Sequence, residues 1–279
     1  MPLVLTPRPA AAPLAIDFTG VLPERLAAFD AAEIGRLGVL ADGAVHPLGE
    51  LFLVSGSAAD GAIECVGDFS RVHRIAAALT AGLITVRGHA GRHAAEGMSG
   101  GRLVVGGDAG DWLAAGLTGG EVVVEGNAGD NVAAALPGDE VGMTGGVVVV
   151  NGGAGCLAGG RMRRGLLGIG GNCGPGAAFE LRAGTVLVAG SMGPRPGLGM
   201  RRGSLIAAGS PPEIPGSFRP GACWTPGVLP LLWGRLVRAG FRPPQAPAPA
   251  ALAGVWQQWH GDVLCGGRGE IFHRPAAAG

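Results

Sequence analysis

The sequence predicts an all-β fold: a right-handed single-stranded parallel β-helix, a solenoid of about seven 19-residue rungs with an N-terminal cap and an extended C-terminal tail. Three observations predict it. Gly82, Gly101, Gly120, Gly146, Gly165, Gly184 and Gly203 follow one another at intervals of 19, 19, 26, 19, 19 and 19 residues. The second and fourth residues after each glycine are apolar: Ile84/Val86, Leu103/Val105, Val122/Val124, Val148/Val150, Leu167/Ile169, Val186/Val188 and Leu205/Ala207. Alternation with period two puts these side chains on one face of a short strand. Third, a unit this short cannot hold a βαβ crossover, which needs roughly 30 residues. Equivalent strands must then stack in parallel, about 4.8 Å apart.

Residues 1–60 form the cap, in which LPERLAAFDAAEIGRL (22–37) predicts a short helix. Residues 61–210 carry the β-helix, with 61–82 as a degenerate first rung that points Ile63 and Cys65 inward. The 26-residue interval contains an insertion around Leu136, Pro137, Gly138, Asp139 and Glu140, predicted to bulge as a loop. Leu79, Met98, Leu117, Met143, Met162, Leu181 and Met200 precede the rung starts by three residues and predict an interior ladder. Two more glycine columns, Gly88 to Gly209 and Gly91 to Gly193, keep the same register. All three columns are expected at corners where φ is positive. Residues 211–279 form a Pro/Trp-rich tail in which the repeat has stopped. It holds a loop (211–227), one short helix within GVLPLLWGRLVRAGF (227–241), the linker PPQAPAPAALAG (243–254) and a docked segment, VWQQWHGDVLCGGRGEIF (255–272).

Composition narrows the function classes. With 55 glycines and 21 prolines in 279 residues, low complexity is suspected, but recurrent Val/Ile/Leu runs argue against disorder. The 21 basic residues, all arginine, balance 21 acidic ones, so the basic footprint of a nucleic-acid binder is missing. The five cysteines form no CxxC pair, which fits reduced thiols in a cytoplasm. No secretory signal is expected from MPLVLTPRPAAAPLA, and no apolar run reaches the roughly 18 residues of a membrane span.

Few residues carry chemistry. His89, His93 and Glu96 have a spacing that suits metal ligation on a helix, but they lie in a Gly-rich rung, where a solvated turn is preferred. Asp108, Asp111, Asn127 and Asp130 resemble calcium-binding β-roll positions, yet the column of Asp111 and Asp130 continues as Cys156, Pro175 and Pro194. Cys173, in GNCGPG, has no base beside it in sequence. No catalytic set and no metal site are expected.

Two features exceed background. Arg163, Arg164, Arg182, Arg201 and Arg202 form one column just before successive rung starts, where earlier rungs carry Ser99, Thr118 and Thr144. Stacked like charges are unfavourable unless compensated. The arginines either splay into water or pair with the cap, or they form a docking strip for an acidic partner or an anionic carrier. The outward strand face also changes, from Arg102, Glu121 and Glu125 to Val147/Val149, Leu166, Leu187 and Ile206. An apolar face needs a cover, either the tail or another subunit.

The rung pattern GxxxxxGxxGxxxxxxMxxG resembles the GXGXG domain shared by the carboxy-terminal part of the glutamate synthase large chain and the C subunit of formylmethanofuran dehydrogenase. GDFSRVHRIAAALTAG (67–82), GDWLAAGLTGG (110–120), GDEVGMTGG (138–146) and the closing WHGDVLCGGRGEI (259–271) are similar to the second. The resemblance implies a non-catalytic structural C subunit of a hetero-oligomeric, cytoplasmic formyltransferase/hydrolase complex. It implies no cofactor on this chain; the complex would handle a methanofuran-like carrier and tetrahydromethanopterin and release formate. The C subunit of a tungsten or molybdenum formylmethanofuran dehydrogenase is the runner-up, and a free-standing glutamate-synthase-type domain follows. No membrane or nucleic acid is expected among the partners.

Overall fold

The structure, a computed structural model, describes residues 1–9, 15–242 and 252–275. In the cap, β1 (Leu3–Pro7) and β2 (Ile16–Asp17) precede two one-turn helices, α1 (Pro23–Leu26) and α2 (Ala31–Gly35). β3 (Gly38–Ala41), β4 (Ala44–Pro47), α3 (Leu48–Leu51) and β5 (Phe52–Ser55) follow. Two helices replace the one expected because Asp30 starts the second: its carboxylate accepts from Glu33 N while Glu33 returns a carboxylate to Asp30 N.

Beyond the cap come β6 (Ala62–Cys65), β7 (Val72–His73), β8 (Leu83–Val86), β9 (Arg102–Val105) and β10 (Glu121–Val124). β11 (Val147–Val150), β12 (Leu166–Ile169), β13 (Thr185–Val188) and β14 (Arg202–Ala207) continue the series. Apart from β7, which pairs with β2 in a small four-stranded sheet, these strands join one large, mostly parallel sheet. Each unit pairs with the next in register, so Ile84, Leu103, Val122, Val148, Leu167, Val186 and Leu205 lie side by side. A second parallel ladder of single bridges runs Phe69, Ala90, Ala109, Ala128, Ala154, Cys173, Met192. Consecutive units therefore lie one on the next. The Leu/Met ladder is fully buried among the inward aliphatics, where each such side chain contributes about 1.5–3 kcal/mol. At the cap end, Phe18, Phe52 and Phe69 close the stack with ring centroids 5.1–6.0 Å apart.

The glycine columns divide into two kinds, which corrects the expectation of positive φ at all three. The rung-start glycines do have φ between +72° and +101°. The other two columns lack left-handed φ; there a Cβ would overlap the unit beneath, as at Gly152, 2.6 Å from Asn127 Oδ1. Left-handed turns elsewhere are taken by small residues, Ala76, Ala95, Ala114, Ala133 and Ala178, at φ +55° to +59°, and by larger ones such as His93 and Trp112, at +60° and +62°. Hydrogen bonds to adjacent units, such as Ala114 N to Ala94 O at 2.7 Å, hold them there.

The tail comprises β15 (Arg219–Trp224), α4 (Val228–Ala239), β16 (Trp256–Gly261), a 3-10 turn (Val263–Cys265) and β17 (Arg268–His273). Residues 243–251 of the expected linker lie outside the described residues. The repeat does not stop at 210. β17 pairs parallel with β14, matching Arg202 to Arg268, Gly203 to Gly269 and Leu205 to Ile271. The tail returns to add the next step of the ladder, and β16 and β15 then pair antiparallel beyond it. The outward apolar face is covered by this chain itself: Leu229, Trp233, Leu236, Phe241, Trp256 and Phe272 pack on Val123, Val147, Val149, Leu166, Leu187 and Ile206. Gly168 stands where its neighbours carry Val149 and Leu187, and Leu236 occupies the space left. Polar pins fix the end of α4. Arg102 donates to Ala239 O, buried Asn151 donates to Gly240 O and accepts from Arg242 N, and Arg235 pairs with Glu121.

Candidate functional site

Parallel in-register stacking places each polar column on one side of the stack, with consequences that depend on what each side chain meets. At the corner after the strand, side-chain acceptors bond the backbone N–H one unit further on. His89 Nδ1 accepts from Asp108 N at 3.0 Å, Asp108 Oδ1 from Asn127 N at 2.7 Å and Asn127 Oδ1 from Gly153 N at 2.8 Å. Asn172 Oδ1 accepts from Ser191 N at 2.9 Å. Three residues along, His73 Nδ1 accepts from Arg92 N, Asp111 Oδ1 from Asp130 N and Asp130 Oδ1 from Cys156 N. The carboxylates that resembled calcium ligands are thus engaged with the backbone.

The two histidines considered together face different partners. His89 belongs to the corner column, whereas His93 lies 2.6 Å from Glu96 and stacks on Trp112. Glu96 also receives Arg74 at 3.0 Å, and Arg74 reaches Asp17 of the cap at 3.8 Å. Among the described residues no cluster of His, Cys, Asp and Glu has a metal-holding arrangement. Burial pushes the Cys173 thiol up to about 12, so at neutral pH the thiolate needed for nucleophilic chemistry is scarce. Burial also raises the Cys65 thiol, with Glu64 adding to the effect.

The arginine column behaves otherwise. Arg163, Arg164, Arg182 and Arg202 line a cleft of about 770 Å³ whose floor is the backbone of Gly165, Gly184 and Gly203. The register of β17 brings in Arg268, which sequence reasoning missed, one step beyond Arg202. Arg201, Arg202 and Arg268 share an adjoining hollow of about 500 Å³ with Leu264 and Cys265. Of these six arginines only Arg182 has an ion pair among the described residues, with Glu140 of the inserted loop at 3.5 Å. One other carboxylate, Glu270, lies in the cleft, and it is held by Ser204 Oγ at 3.1 Å and Gln258 Nε2 at 2.9 Å. The arginines make no ion pair with the cap among the described residues; four successive ladder steps present guanidinium groups with little compensation. Such a surface attracts anions, and planar guanidinium forks suit carboxylates. The signal for Arg268 was in the sequence, since Arg268-Gly269-Glu270-Ile271-Phe272 repeats Arg202-Gly203-Ser204-Leu205-Ile206.

No protein-family model matches the chain. A 77-residue stretch is 39% identical to the C subunit of molybdenum-containing formylmethanofuran dehydrogenase 1 of Methanosarcina barkeri. That match spans 26% of this chain and 26% of that relative, about a quarter of its length. A chain in the X-ray crystal structure of the formyltransferase/hydrolase complex FhcABCD from Methylorubrum extorquens, in complex with methylofuran, superposes with a TM-score of 0.88. It is 32% identical, and the superposition covers 98% of this chain and 100% of that one.

Proposed function

Because the chain belongs to the family of formylmethanofuran dehydrogenase C subunits, we propose that it is a non-catalytic structural subunit of a formyltransferase/hydrolase complex. In this reading the complex moves a formyl group between tetrahydromethanopterin and a methanofuran-like carrier and releases formate. The chain itself holds no cofactor and works in the cytoplasm. The full-length superposition on a chain of such a complex carries the reading. The way His73, His89, Asp108, Asp111, Asn127 and Asp130 are consumed by the backbone supports it. We take the stack to be a right-handed coil with about seven 19-residue rungs over 61–210, a cap over 1–60 and a tail over 211–279 whose β17 adds a further step. Arg163, Arg164, Arg182, Arg201 and Arg202 form a docking strip for an acidic partner or an anionic carrier.

The curated relative favours a second reading, the C subunit of a molybdenum or tungsten formylmethanofuran dehydrogenase. Co-purification from the native host separates the two. The first reading expects formyltransferase and amidohydrolase-like partners, no molybdenum or tungsten, and no formyl transfer or formate release by this chain alone. Stoichiometric molybdenum or tungsten would favour the second reading, and turnover by the isolated chain would defeat the scaffold role.

A further inference from the structure

We propose that Leu264, at the tip of the Val263–Cys265 turn, is the apolar anchor of a protein-docking surface whose charged part is the arginine column, and that its occupant is an acidic segment of a neighbouring subunit. The inference rests on the docking role given to the arginines and names the kind of partner. Leu264 is 83% exposed and Val263 40% exposed, yet the turn that carries them is firmly built. Asp262 is 2% exposed; its carboxylate accepts from Gly199 N at 3.1 Å and from Leu264 N at 3.0 Å, and its own N–H donates to Met200 O at 3.1 Å. Gly267 N and Cys265 N both donate to Asp262 O. A large apolar side chain is therefore held out into water by a buried, fully engaged carboxylate, beside a hollow lined by Arg201, Arg202 and Arg268.

A firmly held apolar anchor beside three arginines has the anatomy of a protein interface, where apolar contacts and Arg dominate the desolvated centre. A small anion would use the guanidinium groups and leave Leu264 wet. Arg163, Arg164, Arg201, Arg202 and Arg268 have no ion pair among the described residues, so the complementary surface is acidic. Four ladder steps span roughly 14 Å, which an extended segment of about four residues covers.

The test uses Cys265 as a reporter in the assembled complex, with Cys156→Ser and Cys223→Ser removing the other accessible thiols. Maleimide should modify Cys265 at least about tenfold more slowly in the complex than in the free full-length chain. A benzophenone maleimide placed there should cross-link to a partner peptide rich in Asp and Glu. Leu264→Asp should lower partner retention at least about tenfold with the urea midpoint unchanged, and Leu264→Ala should lower it less. Equal alkylation rates would overturn the anchor, even if Arg163→Glu with Arg201→Glu still weakened assembly; the arginine strip would then stand as a site for a carrier-borne or small anion. Protection of Cys265 by a partner whose retention ignores those charge reversals would overturn the acidic occupant and the docking role of the arginines together.

Discussion

Two kinds of polar column run along the same stack and use their bonding capacity in opposite ways. In the corner columns each His, Asp or Asn acceptor meets a backbone N–H of the next unit at 2.7–3.0 Å. In the arginine column five of six guanidinium groups find no carboxylate partner among the described residues. Recurrence of a polar residue in a repeat is thus no sign of a ligand by itself. What separates structure from function is whether the neighbouring unit consumes the side chain's bonding capacity. The corner residues are the mortar of the stack, and the arginines contribute no such bond to it, which is the ground for proposing them as a docking strip.

The strongest way to break this comparison is to deny the corner carboxylates their space. A Cβ on Gly155 would overlap Asp130 Oδ1 and lie 2.9 Å from Asp130 N and Gly129 C, where backbone cannot give. Gly155→Ala should cost about 3 kcal/mol through overpacking and the displaced cap bond. Gly116 is the control: its φ is +64°, but its Cβ would meet nothing within 4 Å. Neighbouring left-handed sites already hold Ala95 and Ala114, so Gly116→Ala should cost only about 1 kcal/mol. Urea unfolding of both variants decides the matter; equal losses would mean that the close approach at Gly155 adds nothing beyond the ordinary cost of a side chain there.

A milder variant removes the acceptor and leaves the space. Asp130→Ala strands Cys156 N–H at a site that is half-buried and should cost about 1–2 kcal/mol. Asp130→Asn keeps an acceptor and should recover most of it. If Ala and Asn variants unfolded together, the corner bond would contribute nothing and the two columns would differ only in sign of charge.

How much of this was legible follows from distance along the chain. The inward pairs and the Leu/Met ladder were legible because each recurs every 19 residues and must be apolar. Arg268 carries the same local motif, but its register is hidden, because 66 residues separate Ser204 from its ladder partner Glu270 and a detour through α4 breaks the periodicity. The sequence leaves the cover of the apolar face open between tail and partner for the same reason: α4 shows its packing face only once Leu236 meets Gly168. The two kinds of glycine column look alike in sequence, since positive φ and close approach select the same residue. The corner residues were visible as columns, but their bonds join units rather than neighbours, so spacing alone suggested ligands.

The arginine column should respond in the reverse manner. Arg163→Glu with Arg201→Glu breaks no ion pair among the described residues and relieves like-charge stacking, so the stability read from urea unfolding should shift by less than about 0.5 kcal/mol. Retention of partners or carrier should nevertheless fall about tenfold or more, and the wild-type interaction should weaken as salt is raised. Unchanged assembly and carrier content would return the arginines to the class of solvated residues, and the contrast between columns would lose its functional half.

The smallest expected effect is confined to one pH window, and it comes from the histidine that stands at the foot of the corner column. Burial, followed by the charges of Arg92 and His93, holds the His73 imidazole below its ordinary value of 6.5, while Asp17 opposes the shift. The structure gives the same sign independently, because Nδ1 must be unprotonated to accept from Arg92 N. The folded state therefore binds a proton less readily than the unfolded chain. The stabilisation is complete above the unfolded value and is lost as pH falls through the folded one. Between about pH 7 and about pH 5 the urea midpoint of the wild type should drop. His73→Asn supplies an acceptor that does not titrate, so its midpoint should fall less across the same window. If both proteins showed the same slope, His73 would not act as a neutral acceptor, and the acceptors of its column would begin at Asp111 instead.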